Sequence, residues 1–181
     1  MLLAGDCFTV ETVRLQVLYV LFFIELASRR VFMLGCTEHP TDAWVTQQAR
    51  NLMLAMRERT DTFRFLVRDR DTKFTAPFDA VFADAGIEVL RSPPRAPKAN
   101  AYAERWVSTI RRECLDRMLI VSERQLHHVL AQYEDHYNTH RPRRALEQRS
   151  PTALNGPRAQ PAQAPHRRTP TPPRRTTTIP P

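Results

Sequence analysis

The stretch RFLVRDRDTKF (residues 64–74) carries an apolar strand directly into a run of alternating charges. Its first half is rich in residues that strands prefer, whereas Asp69 and Asp71 stand where that strand ends. Two interpretations of Asp69 are open. It either turns the chain into a polar loop or holds a metal ion at the carboxyl end of a strand. The choice depends on the elements that surround this strand.

The composition predicts one domain of ordinary size followed by an appendage. The chain has 181 residues, and 42% of them are hydrophobic, which is enough for a core. The formal net charge of +8 suggests an anionic partner, most often nucleic acid. Five arginines and no acid lie in residues 150–181, however, so only +3 remains for the body. Charge alone therefore does not establish DNA binding.

Cysteine usage and hydropathy favour a cytoplasmic protein without a membrane partner. Cys7, Cys36 and Cys114 are scattered in apolar surroundings, which is typical of reduced cysteines inside cells. The apolar stretch 17–27 is too short to span a bilayer and already contains Glu25. It also lacks the flanking features of a signal peptide.

The order of the segments predicts an α/β fold. Five segments are strand-like, being apolar and rich in β-branched or aromatic residues: 2–10, 18–26, 29–37, 63–69 and 87–92. Four segments have helical periodicity or helix-end signals: 39–59, 76–86, 100–118 and 122–139. Short connections favour antiparallel pairing of the first three strands. The whole order implies a mixed five-stranded sheet with helices on both faces, the layout of ribonuclease-H-like folds.

The last 32 residues differ in character from the rest of the chain. Residues 150–181 contain nine prolines, together with arginine and threonine, and almost nothing apolar. Such a segment cannot bury enough surface to offset its ordering entropy. The sequence therefore predicts a core domain at 1–149 and a disordered, basic Pro/Arg/Thr-rich tail at 150–181.

Three carboxylates are candidate ligands for a divalent cation. Asp6 lies within the first strand, where an unpaired charge is costly, Asp69 ends the fourth strand, and Glu104 lies in a helix's first turn. If the first and fourth strands are neighbours, a bridging cation best explains two adjacent anions. Three such oxygen donors suit Mg²⁺ or Mn²⁺, and two ions about 3.5–4 Å apart support phosphoryl transfer. Glu11 competes with Asp6, and Glu104 has an alternative role at the helix dipole.

Four blocks, in order, resemble the catalytic core of retroviral-integrase-like transposases, the DDE enzymes of bacterial insertion sequences. LAGDCFTVET resembles the strand with the first aspartate, and VRDRDTKFT resembles the D-x-G-x-x-F-T/S block. SPPRAPKANAYAERW resembles the P-x-x-N-A-x-x-E block, and YNTHRPRRALEQRSP resembles the closing signature. The resemblance assigns Asp6, Asp69 and Glu104 as catalytic metal ligands. Asp71 departs from the pattern, because the family usually has glycine there.

The resemblance also implies a reaction and its partners. It implies hydrolysis of a phosphodiester at the element's ends, then attack by the freed 3′ hydroxyl on target DNA, using two Mg²⁺ or Mn²⁺ ions. It implies DNA as partner, a homo-oligomer when active, and no small-molecule substrate. Ser108 and Arg111 share a helix face with Glu104. Six cations are candidate contacts to the DNA backbone: Lys73, Arg95, Lys98, Arg105, Arg111 and Arg112.

Three functional hypotheses follow. Related transposases usually carry a helical DNA-binding region before the core, and this chain starts five residues before Asp6, so a truncated catalytic core is expected. The second hypothesis is an inactive remnant that binds DNA non-specifically. The third is a stand-alone ribonuclease-H-like nuclease, against which the closing signature argues. Metal-dependent activity separates the first and third from the second.

Overall fold

The computed structural model describes residues 1–56, 62–92 and 101–140, which form a five-stranded sheet and four α-helices. The strands are β1 (Leu2–Glu11), β2 (Val17–Glu25), β3 (Val31–Thr37), β4 (Phe65–Arg68) and β5 (Glu88–Arg91). The helices are α1 (Asp42–Ala55), α2 (Ala76–Asp84), α3 (Ala101–Glu113) and α4 (Glu123–Thr139). The predicted tail lies outside the described residues.

The sheet is mixed, as predicted, with the order β3-β2-β1-β4-β5. β1 pairs antiparallel with β2, and β2 with β3, whereas β1 pairs parallel with β4, and β4 with β5. β1 is therefore the central strand. The antiparallel strands β2 and β3 lie on one side of it, and the parallel strands β4 and β5 lie on the other.

Two apolar layers cover the two faces of the sheet. On one face, Phe8 and Phe22 pack under α3 and α4, where Trp106 is the largest buried side chain. On the other face, Phe23 packs under α1 and α2. Gly5 of β1 makes room for that ring, because a Cβ there would lie 2.7 Å from a Phe23 ring carbon. Helices on both faces confirm the predicted layer architecture.

α3 is shorter than predicted. The apolar spacing predicted a helix to about Met118, but α3 ends at Glu113 and a 3₁₀ turn follows at Leu115–Arg117. Leu115 and Ile120 are both buried in the core, whereas Met118 is exposed. The chain leaves the helix so that these two side chains, rather than Met118, reach the apolar layer.

Side chains of α4 cover the outer edge of β3. Asn138 is buried; its amide Nδ2 donates to the Val31 carbonyl at 2.8 Å, and its Oδ1 accepts from the Val31 N–H at 3.0 Å. Glu134 accepts from the Met33 N–H at 3.1 Å through Oε2. An edge strand otherwise presents unpaired N–H and C=O groups. Asn138, part of the closing block quoted above, therefore serves the fold.

Asn138→Ala tests the edge cover. The change removes two hydrogen bonds to Val31 and should lower the free energy of unfolding by about 2 kcal/mol. Chemical denaturation measures this difference. Asn51→Ala on the exposed surface of α1 is the matched control and should change the free energy by less than about 0.5 kcal/mol. Equal effects of the two substitutions would contradict the assigned role.

Glu134→Gln tests the electrostatics of the same edge. Burial raises the pKa of the Glu134 carboxyl, against the opposing effects of the Met33 N–H and the Arg30 charge. Because the folded-state pKa is raised, the contribution of Glu134 to the free energy of unfolding is complete at low pH. That contribution is lost as the pH rises through the folded-state pKa. We therefore expect Glu134→Gln to raise the melting temperature near neutral pH and to lose this advantage in acid.

Thermal melting across a pH series provides the measurement. Glu88→Gln makes the same chemical change at an exposed residue of β5 and is the control, with no such pH-dependent gain. A Glu134→Gln advantage that is constant with pH would show that charge burial is not its cause.

Candidate active site

Asp6 and Asp69 occupy equivalent levels of two adjacent parallel strands. The β1–β4 register ends with Gly5 opposite Arg68, and the next residues along the chain are Asp6 and Asp69. Asp6 is half-buried within β1, and Asp69 is exposed directly after the last residue of β4. Adjacent strands lie about 4.8 Å apart. The condition on which the two-aspartate hypothesis depended, that the first and fourth strands are neighbours, is therefore met.

Local backbone hydrogen bonds orient both carboxylates. Asp6 Oδ1 accepts from the Cys7 N–H at 2.7 Å, and Asp69 Oδ1 accepts from the Arg70 N–H at 2.6 Å. Each aspartate therefore has one oxygen held by the residue that follows it.

Asp6 belongs to the sheet face that α3 covers. It shares that face of β1 with Phe8, and its cross-strand partner on β2 is Phe22. Trp106 of α3 contacts both rings, with centroid distances of 6.0 Å to Phe8 and 4.4 Å to Phe22. Glu104 precedes Trp106 by two residues, so the first half of α3 lies over this part of β1.

Glu104 lies on the flank of α3 that is turned toward β1 and β4. Arg111, about two turns later on the same flank, donates to the Thr9 carbonyl of β1 at 2.6 Å. The opposite flank carries Tyr102 and Glu113, which contact the β2–β3 turn and α4. Glu104 is exposed on the side of the sheet where the two aspartates lie.

The three carboxylates suit Mg²⁺ or Mn²⁺ in kind but do not form a metal-binding group. Carboxylate oxygens are the ligands that these ions prefer. Within residues 1–56, 62–92 and 101–140, no group of three or more His, Cys, Asp or Glu side chains is arranged to hold a metal ion. The fold brings two of the three backbone positions side by side, and α3 holds the third on the same side.

Asp71 forms an ion pair with Lys73. The Lys73 Nζ lies 2.6 Å from Asp71 Oδ2, and the Lys73 N–H donates to Oδ1 at 3.0 Å. Burial raises the pKa of Asp71, but the hydrogen bonds and charge of Lys73 outweigh it, and the net change is a lowered pKa. Burial lowers the pKa of Lys73, but Asp71 outweighs it in turn, and that pKa is raised. The extra aspartate is therefore neutralised inside its own loop.

The predicted DNA-contact residues differ in availability. Arg105 and Arg112 are exposed on α3, whereas Arg111 is half-buried and bonded to β1. Lys73 is occupied by its ion pair. Arg95 and Lys98 lie outside the described residues.

Sequence reasoning missed a buried arginine beside Asp69. The Arg68 side chain is 2% exposed, and its Nε and Nη2 donate to the two carboxylate oxygens of Asp79 at 2.7 and 2.6 Å. Its Nη1 donates to the Asp69 carbonyl at 3.0 Å. Strand alternation contained the signal, because Arg68 shares the inward face of β4 with Leu66.

A basic groove borders the loop that follows β4. Its volume is about 410 Å³. Arg91 on its wall is exposed, and its Nη2 lies 3.1 Å from Asp79 Oδ2. The lining residues are Arg68, Arg70, Asp71, Thr72, Phe74 and Arg91.

The cysteines do not supply a reactive thiolate. Burial raises the pKa of Cys7 to about 12 and that of Cys36 to about 11, and it also raises the pKa of Cys114. The thiols therefore stay protonated at neutral pH. Among the described residues, no helix is long and apolar enough to cross a membrane.

A family model, the integrase core domain, matches residues 85–151, just over a third of the chain. The match includes β5, α3 with Glu104, and α4 with Asn138. Comparison with curated proteins gives no match.

Three solved structures with the same fold are retroviral proteins. A chain of a simian T-cell lymphotropic virus intasome has a TM-score of 0.70 at 12% identity, over 88% of this chain and 56% of that chain. The HTLV-2 integrase catalytic core domain in complex with magnesium, in a trimeric form, has a TM-score of 0.58 at 9% identity, over 86% of this chain and 95% of its own. The BIV integrase catalytic core domain has a TM-score of 0.55 at 17% identity, over 84% and 91%. The present chain therefore spans little more than half of the intasome chain.

Proposed function

We propose that this chain, which has the fold of an integrase catalytic core, carries out metal-dependent DNA strand cleavage and strand transfer in DNA transposition. The observation that carries the proposal is the β1–β4 register, which ends at Gly5 and Arg68 and is followed on the two strands by Asp6 and Asp69, at the carboxyl end of β4. The integrase core domain match over residues 85–151, which contains Glu104, supports it independently.

Asp6, Asp69 and Glu104 would hold Mg²⁺ or Mn²⁺. Such ions activate an attacking oxygen and stabilise the leaving oxygen in phosphoryl transfer. The protein contributes by holding the three carboxylates in position. The middle of β1 and the end of β4 fix the aspartates, and the packing of Trp106 and the Arg111 bond to β1 fix the helix that carries the glutamate.

DNA is the proposed partner. Arg105 and Arg112 are exposed on α3, and the exposed Arg70 lines the basic groove beside Asp69, so phosphate contacts are available on both sides of the site. One structural neighbour belongs to an intasome and another is a trimeric form. The proposal for this chain accordingly includes self-association in the active state.

Thermal melting with and without Mn²⁺ tests the metal site. At ten times its dissociation constant, the ion should stabilise the folded chain by about 1.4 kcal/mol. Asp69→Asn should abolish this shift. Asp84→Asn, at the exposed end of α2, removes an equal charge away from the site and should keep the shift.

DNA assays then separate the candidate activities. Mn²⁺-dependent nicking and joining of labelled duplexes by the wild type, absent in Asp69→Asn, is the expected result. Cleavage without any joining would indicate a nuclease instead. A cooperative melt without a Mn²⁺ shift would contradict the proposal and leave a chain that binds DNA without chemistry.

Asp71→Asn should strengthen non-specific DNA binding. The change releases Lys73 from its ion pair and makes it available to a phosphate. One added phosphate contact should steepen the dependence of log affinity on log salt concentration by about 0.9. Fluorescence anisotropy of labelled DNA at several salt concentrations measures the slope. Asp84→Asn is again the control, and an equal steepening there would indicate a general charge effect.

A further inference from the structure

We propose that Arg68 is the positioning residue for Asp69, and that it acts through its buried ion pair with Asp79 on α2. The inference rests on the proposed function for the role of Asp69. The positioning itself is a property of the folded chain, so it can be tested without metal.

The burial of Arg68 requires an explanation. Withdrawing a guanidinium from water costs several kcal/mol, and an apolar residue often stabilises a core equally well. The buried arginine instead provides a defined geometry. Its planar guanidinium binds both carboxylate oxygens of Asp79, which fixes the orientation of the Arg68 side chain. In that orientation the remaining guanidinium nitrogen, Nη1, donates to the Asp69 carbonyl. One rigid group thus links α2 to the residue that follows β4.

Asp69 lies just beyond the last paired residue of β4, so the ladder alone does not fix it. The Arg68 carbonyl accepts from the Ser92 N–H at 2.9 Å, and the Arg70 Nε donates to the Ser92 carbonyl at 3.0 Å. These bonds tie the flanking residues to the end of β5. The bond from Arg68 Nη1 is the contact that fixes the Asp69 peptide itself from the core side.

The other end of the link is equally well anchored. Asp79 lies in the first turn of α2, where a negative charge interacts favourably with the helix dipole. The adjacent Phe78 is fully buried and packs against Phe74 and Phe82, with ring centroids 4.9 and 5.0 Å away. Arg68 therefore connects the Asp69 peptide to a helix that is packed in the apolar core.

Arg91 offers a matched control. It contacts the same Asp79 carboxylate at 3.1 Å, but its side chain is 61% exposed, and no bond joins it to Asp69 among the described contacts. Arg68→Lys keeps the buried charge and loses the two-pronged geometry. Arg91→Lys makes the same chemical change outside the link.

The first measurement is amide proton exchange by NMR on the full chain without metal. The reporters are the Arg70 N–H, bonded to Asp69 Oδ1, and the Phe74 N–H, bonded to the Asp71 carbonyl. Arg68→Lys should accelerate exchange at both by about tenfold and leave β2 amides unchanged, as expected for local opening. Arg91→Lys should change neither set.

The second measurement is Mn²⁺ affinity by calorimetric titration. Arg68→Lys should weaken it by about 10–100-fold, the usual effect of disturbing an outer-shell partner, while Arg91→Lys leaves it unchanged. If the wild type binds no Mn²⁺ but the loop amides respond as expected, the proposed function fails and the positioning role stands.

Two results overturn the inference. Unchanged exchange at Arg70 and Phe74 in Arg68→Lys would show that the link does not hold the loop. Faster exchange everywhere, β2 included, would show a merely structural role. Should Arg68→Lys not fold, the double change Arg68→Met with Asp79→Leu removes both buried charges and keeps their volume. The same local acceleration is expected there.

Discussion

The parallel pairing of β1 with β4 is the constraint on which the rest of the site depends. β1, β2 and β3 are joined by short turns and pair antiparallel, so a strand parallel to β1 must come from a longer crossover. α1 supplies that crossover, and its buried face fills one side of the sheet on the way. The same pairing ends at Gly5 and Arg68, which fixes the levels of Asp6 and Asp69. The register of β1 against β4 therefore determines both the strand order at the centre of the sheet and the relative positions of the two aspartates.

The charges that follow β4 are distributed so that each has a separate environment. Arg68 turns inward to Asp79, and Asp71 pairs with Lys73. Asp69 remains exposed between them, held through its carbonyl and one carboxylate oxygen. A run of four alternating charges would be a solvated loop if all pointed outward. Here Arg68 is buried, Asp69 and Arg70 are exposed, and Asp71 is half-buried beside Lys73, so only part of the run faces solvent.

The sequence was sufficient for the parts of the fold that are encoded locally. Apolar periodicity and helix-end signals predicted the five strands and four α-helices of the described residues. Local capping supports the start of α1, where Thr41 Oγ1 accepts from the Trp44 N–H at 3.2 Å. The proximity of Asp6 and Asp69 was expected only if the first and fourth strands were neighbours, and the strand order meets that condition. The partner of Arg68, by contrast, lies on the next helix, and the early end of α3 is set by which side chains reach the core. Neither is visible in a local pattern.

The covered edge of β3 limits how copies of this sheet can join. Asn138 already bonds the outward N–H and C=O groups of Val31, and Glu134 bonds the N–H of Met33, so a foreign strand would find these groups occupied. The other edge is β5, only four residues long. If two copies paired edge to edge, β5 of one copy would pair with β5 of the other. The two β3 strands, whose edges α4 covers, would then form the outer edges of the joined sheet. Such contact is self-limiting: it closes at two subunits and cannot propagate into a filament.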